Sequence, residues 1–201
     1  MKRITDTTDR RIGNSLERWL DHANKDQWKA GFNWYKEAQD FCSDLANSYG
    51  EDHYKCAGVI SALSPNNKWA RNKIDAIALL EAHALGKNPE DIKVCTYHAN
   101  KLKAFDILND RVSLSEKSPK THSFAMNVGL LSPDHVTSDK WHIRASLAKP
   151  VDGVTKTVES VTPAQFRRLE QITVKLARKF GLKGYQAQAI IWVTIKDHWN
   201  R

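Results

Sequence analysis

Apolar residues recur at helical spacing along almost the whole chain, and nowhere do they alternate convincingly in the two-residue period of a half-buried strand. Trp34, Ala38, Phe41, Cys42, Leu45 and Tyr49 follow an i, i+4, i+7, i+8 pattern that predicts an amphipathic helix over 32–49, stopped by Gly50. Tyr54 to Leu63 reads as a second helix, broken at Ser64-Pro65-Asn66-Asn67 because the residue before proline avoids the α region and Asn favours turns. Further helices are expected at about 68–85, closed by Gly86, then at 97–108, 120–128 and 139–147. Pro163 behind Thr162 opens another, with Phe166, Leu169, Ile172, Leu176 and Phe180 in register before Gly181, and Tyr185 to about His198 forms the last. Only 150–161, with Val151, Val154, Val158 and Val161 among Thr and Gly, reads as a loop or a small hairpin.

The pattern therefore predicts an all-α fold of eight to ten helices. At 201 residues the chain can bury about 70% of its unfolded surface, and no Gly/Ser-rich linker divides it, so one domain over 1–201 is the expectation. The polar residues 1–11 are expected to be mobile. Seven Trp with 41% hydrophobic residues exclude an intrinsically disordered chain. Apolar runs fall far short of the roughly 20 residues that cross a bilayer, and the start has no signal-peptide core, so a soluble, cytoplasmic protein without a membrane partner is expected. Cys42, Cys56 and Cys95 show neither disulfide nor zinc spacing, which suits a reducing compartment. No Gly-rich phosphate loop or dinucleotide fingerprint is present, and no histidine has metal-ligand spacing, so neither cofactor nor metal is anticipated. The 31 Lys and Arg against 23 Asp and Glu, a net +8, favour a polyanionic partner.

Two segments carry residues with chemical potential. Ser118-Pro119-Lys120-Thr121 opens one short helix, and Val136-Thr137-Ser138-Asp139-Lys140-Trp141-His142-Ile143-Arg144 opens the next. Packing of two such helices can bring both starts, and so Lys120 and Asp139, to one cleft. Upstream lies Ala57-Gly58-Val59-Ile60-Ser61-Ala62-Leu63-Ser64-Pro65-Asn66-Asn67-Lys68-Trp69-Ala70-Arg71-Asn72-Lys73, and between them Ala99-Asn100-Lys101-Leu102-Lys103-Ala104.

In this order, over roughly Tyr54 to Leu147, these stretches resemble the helix-hairpin-helix DNA glycosylases, whose hairpin ends in Lys-Thr and is followed by a segment of the form Val-Asp-x-His-x-x-Arg. Departures are Ser115-Glu116-Lys117-Ser118-Pro119 in place of the glycine-bearing hairpin, Trp141 in place of the His, and no four-cysteine cluster loop. The C-terminal Lys183-Gly184-Tyr185-Gln186-Ala187-Gln188 region is similar to a bacteriophage branch of the superfamily thought to attach amino acids or polyamines to an activated thymine.

The resemblance implies a DNA-acting, glycosylase-like enzyme. It would remove or alter a damaged or modified base flipped out of double-stranded DNA, by hydrolysis, by a lyase reaction or by transfer. A binding module without chemistry is the rival. Asp139 would stabilise the positive charge that develops on the sugar, and Lys120 would form a Schiff base. Asn66, with Asn67 and Trp69 beside it, would fill the gap left in the duplex, and Trp141 and Arg144 would line the site. Gln186, Gln188 and Trp192 are candidates to read and stack the base, since a carboxamide offers both a donor and an acceptor. Each has a structural use as well: Lys120 as an exposed first-turn lysine, Asp139 as a helix cap, Arg144 as an ion-pair partner, Trp192 as core.

Overall fold

The computed structural model describes residues 3–148, 150 and 160–199, and these residues form nine α-helices, one short 3₁₀ turn and no strand. The helices are α1 (Asp9–His22), α2 (Lys25–Tyr49), α3 (His53–Ala62), α4 (Trp69–Ala84), α5 (His98–Leu108), α6 (Pro119–Val128), α7 (Lys140–Leu147), α8 (Pro163–Lys179) and α9 (Gly184–Trp199). The all-α expectation holds, and Gly50, Gly86 and Gly181 end their helices at φ of 64°, 65° and 66°, a region that glycine enters without steric cost. The stretch expected to be a loop or hairpin lies mostly outside the described residues. No helix among the described residues is long and apolar enough to cross a membrane.

The chain forms two compact units, one of residues 1–37 and 132–201 and one of residues 38–131. In the first, α1, α7, α8 and α9 pack on one another around Ile12, Leu16, Trp19, Leu20, Ile143, Leu169, Leu176, Ile190, Ile191 and Ile195. The helix α1 has no counterpart in the expected set, although Ile12, Leu16, Trp19 and Leu20 carry the i, i+4, i+7, i+8 spacing and Thr8 accepts from the Arg11 amide as its cap. Arg168 of α8 ties down what precedes it: its guanidinium donates to Ile4 O at 2.8 Å, Thr7 O at 2.7 Å and Asp9 Oδ1 at 2.7 Å, and Ile4 is buried. At the head of α8, Thr162 and Gln165 form a reciprocal capping box.

The helix expected to begin at residue 32 begins at Lys25, where Asn24 and Gln27 cap each other's backbone amides. Gly31 continues this helix instead of breaking it. A Cβ built there would lie 2.4 Å from the Ile190 Cα, so the missing side chain is what lets the backbones of α2 and α9 touch.

In the second unit, α3 is the hub. It packs against α4, α5 and α6 and buries every residue from Cys56 to Ala62, which is why its sequence is apolar all round and not striped. Cys42 and Cys56 are buried free thiols, and burial pushes each up to about 12, whereas Cys95 is exposed. The turn between α3 and α4 is fixed by Asp75, fully buried, whose carboxylate accepts from Arg71 Nε at 2.9 Å, Asn67 Nδ2 at 2.9 Å and the Cys95 amide at 2.8 Å. Charge buried in this way persists because it is paired and fully hydrogen-bonded.

The helix contact at Gly31 generates the first prediction. Gly31→Ala must push two backbones apart and is expected to cost about 3 kcal/mol, whereas Gly50→Ala, with open space around it, costs only the left-handed backbone penalty of about 1 kcal/mol. Urea unfolding of both variants checks the ranking.

Candidate active site

Asp139 stands immediately before α7, an eight-residue helix. Its Oδ1 accepts from the amides of Trp141 and His142, each at 2.9 Å, which satisfies two of the orphan donors that every helix start leaves open. Its Oδ2 accepts from the indole Nε1 of Trp192 on α9 at 3.0 Å. Three N–H donors thus converge on one carboxylate, an arrangement that solvates an anion without water. Asp139 is half-buried, the three residues before it are buried, and the Glu170 carboxylate holds the backbone of Val136 at 2.8 Å.

The far end of α7 is tied as firmly. Ser15 Oγ lies 2.8 Å from Ala145 O and 2.9 Å from Ala148 O, and Trp19 Nε1 donates to Ala148 O at 2.7 Å. Between the ends, His142 is fully buried, with Nδ1 3.0 Å from Ser138 Oγ and Nε2 3.4 Å from Thr173 Oγ1. The Thr173 hydroxyl gives its proton to Leu169 O, so it accepts from Nε2–H and leaves Nδ1 to accept from Ser138. Burial lowers the His142 pKa to about 3 and keeps the ring neutral.

Around Asp139 stand aromatic and amide groups. The Trp192 ring centroid is 6.0 Å from that of Trp34, and Lys196, one turn along α9, places its ammonium 4.0 Å from the Trp192 ring centre. Tyr35, buried between Trp34 and Tyr185, donates its hydroxyl to Gln188 Oε1 at 3.3 Å. Desolvation raises the Tyr35 pKa well above the usual phenol range. The hydrogen bond with Thr137 offsets part of this rise, and the negative charge of Asp139 adds to it, so Tyr35 stays protonated. On the outer side of α7, Arg144 lies 4.8 Å over the Trp141 ring and Lys140 5.6 Å from it, and Trp141 packs 6.0 Å from Trp199.

The expected site residues fall into two groups. Asp139, Trp141, Arg144, Gln186, Gln188 and Trp192 belong to the first unit, and Asp139, Trp192 and Gln188 share one neighbourhood there. Gln186 accepts from the Lys183 amide at 3.0 Å and so closes the first turn of α9, while Gln188 and Trp192 share one face of that helix. Trp192 is half-buried, with its nitrogen on a carboxylate, and so is not simply core.

Lys120, Asn66, Asn67 and Trp69 belong to the second unit. Lys120 is exposed in the first turn of α6. Asn66 is exposed at φ 56°, and its Nδ2 donates to the Tyr97 hydroxyl at 2.7 Å. Asn67 serves the Asp75 cluster, and Trp69 packs edge-on against Phe41 with the Lys73 ammonium over both rings.

Trp34, Tyr35 and Thr137 were not among the expected residues. No local signal marks them, because their partners lie far along the chain, as where Tyr35 meets Gln188 across 153 positions.

Net charge divides sharply between the units. Residues 1–37 and 132–201 hold 20 Lys and Arg against 12 Asp and Glu, a net +8, whereas residues 38–131 hold 11 of each and are neutral. The entire excess lies with the unit that contains Asp139. Among the described residues no group of three or more His, Cys, Asp and Glu could hold a metal ion.

The buried His142 generates a pH prediction. Its folded pKa is depressed below the unfolded value of about 6.5, so its contribution to stability is complete above pH 6.5 and is lost as pH falls toward 3. Between roughly pH 4 and 6 the parent is expected to lose stability relative to His142→Gln by about 1.4 kcal/mol per pH unit, measured by urea unfolding at stepped pH.

No curated protein and no solved structure matches the chain. A family model does match it, over residues 1–199, and the chain belongs to that family, described as Family of unknown function (DUF7178).

Proposed function

We propose that this protein is a DNA-acting enzyme of the glycosylase kind, in which Asp139 acts on a base flipped out of the duplex. The observation that carries the reading is the Asp139 carboxylate itself, held by three N–H donors beside the half-buried ring of Trp192 in the one unit with a net positive charge. The order of the resembling segments from Tyr54 to Leu147 supports it independently.

Cleavage of a base–sugar bond builds positive charge on the sugar, and a fixed carboxylate lowers that barrier most when it needs no reorganisation as the charge appears. Asp139 meets this requirement because the start of α7 and the Trp192 indole position it before substrate arrives. Water then bonds to the anomeric carbon, and the base departs with the electron pair of the broken bond and takes up a proton. Flipping costs a few kcal/mol, which stacking on Trp192 offsets. Gln188, one turn before Trp192 and with its Oε1 already on the Tyr35 hydroxyl, would offer its Nε2 amide to an acceptor on the base edge, while Gln186 closes the helix start. The Lys196 ammonium over Trp192 suits an adjoining phosphate. A Schiff-base amine needs a desolvated setting, and Lys120 is exposed, so this reading assigns the step to Asp139 alone.

The test is a panel of duplexes carrying different modified or damaged pyrimidines, read by mass spectrometry at stoichiometric protein. Base release is expected from at least one duplex, and Asp139→Asn, which retains the capping oxygen, is expected to slow it at least roughly 100-fold. Borohydride should trap no adduct, and Lys120→Ala should leave the rate unchanged. A mass gain on the base would mark transfer at the same carboxylate. No altered base in any duplex, or an Asn variant as fast as the parent, overturns the proposal.

A further inference from the structure

Four residues of the part of α2 that belongs to the first unit, Lys25, Lys29, Phe32 and Lys36, are all exposed. Their spacing of 4, 3 and 4 residues, at 100° per residue, confines them to an arc of about 60° on the helix surface. They form a line about 16 Å long at 1.5 Å per residue, with the aromatic ring between the second and third ammonium groups. Phe32 is 45% exposed, whereas Gln27, Gly31 and Tyr35, which share another face of the same helix, are buried. Among the described residues neither Lys25 nor Lys29 has an ion-pair partner, and the unit that bears them holds the whole +8 of the chain.

We infer that this stripe is a binding track for single-stranded nucleic acid, with the backbone phosphates along the lysines and one unpaired base stacked on Phe32. Cations in a row fit a polyanion of repeating charge, and each contact releases condensed counterions. The aromatic ring decides between strand and duplex. A phenyl face exposed between lysines gains stacking energy only from a base whose own face is free, and paired bases in a duplex hide theirs. A membrane surface fits less well, because the opposite face of α2 is packed against α9 at Gly31 and leaves a single apolar side chain to insert. The inference goes beyond the catalytic reading and does not need turnover.

The experiment measures fluorescence anisotropy of the full chain with labelled oligothymidylate of about 20 nucleotides and with a duplex of the same length, across a salt series. The single strand is expected to bind more tightly. Phe32→Ala, at an exposed site where folding is not at stake, should weaken single-strand binding about 5- to 100-fold and duplex binding less than about twofold. The pair Lys25→Gln with Lys29→Gln should reduce the logarithmic salt slope by about 1.4, about 0.7 per lysine. Lys87→Gln with Lys93→Gln, exposed lysines of the neutral unit, should change neither quantity. The inference is overturned if Phe32→Ala binds as the parent does, if the duplex is preferred, or if vesicles of phosphatidylcholine and phosphatidylserine compete the oligonucleotide away at equal charge. Binding as described without any altered base would remove the catalytic proposal and leave the track standing.

Discussion

An eight-residue helix can satisfy few of its own backbone groups, since the first four N–H and the last four C=O have no partner within it. For α7 this constraint organises the first unit. Asp139 takes the amides at the start, while Ser15 and Trp19 of α1 take the carbonyls at the finish. The helix therefore exists only in contact with α1 and α9, and its position is set to within hydrogen-bond tolerance. A carboxylate at such a place inherits that precision. The cap and the candidate reacting group are one side chain, whose second oxygen accepts from Trp192.

Much of the helix set was legible because glycine stops and apolar spacing are local signals, and Gly50, Gly86 and Gly181 act where they were expected to act. The failures share one cause. The second helix is expected from residue 32, but it extends through Gly31 to Lys25, and the glycine is there because a backbone 159 positions away lies against it. Helix α1 went unassigned because the polar run before it suggested an unanchored start, and the anchor, Arg168, lies in α8. At the site the same division appears. Asp139 as a cap is written in the five residues around it, but the Tyr35–Gln188 pair and the Trp192–Asp139 bond need the tertiary fold. Gln186 and Gln188 look alike in the sequence, and only the turn geometry at Lys183 separates the one that caps from the one that faces Tyr35.

Polar burial in the two units serves different ends. In the second, the Asp75 carboxylate is surrounded by donors and fully enclosed, so its charge is spent on joining the α3–α4 turn to the Cys95 segment. In the first, Asp139 retains partial access to solvent, and the groups near it, protonated Tyr35 and neutral His142, add no opposing charge. Two carboxylates held by N–H donors are thus distinguished by exposure and by the net charge of the unit around them.

The first unit is discontinuous, and that has a consequence for synthesis. The apolar face of α1, with Ile12, Leu16, Trp19 and Leu20, finds most of its partners in residues 141–199. At about 5–20 residues per second, a nascent chain carries that uncovered face on the ribosome for roughly 10 s or longer, while residues 38–131 are complete and free to collapse first. The neutral unit is thereby the early folder, and the charged one closes last, when α8 and α9 emerge to receive a helix made near the beginning.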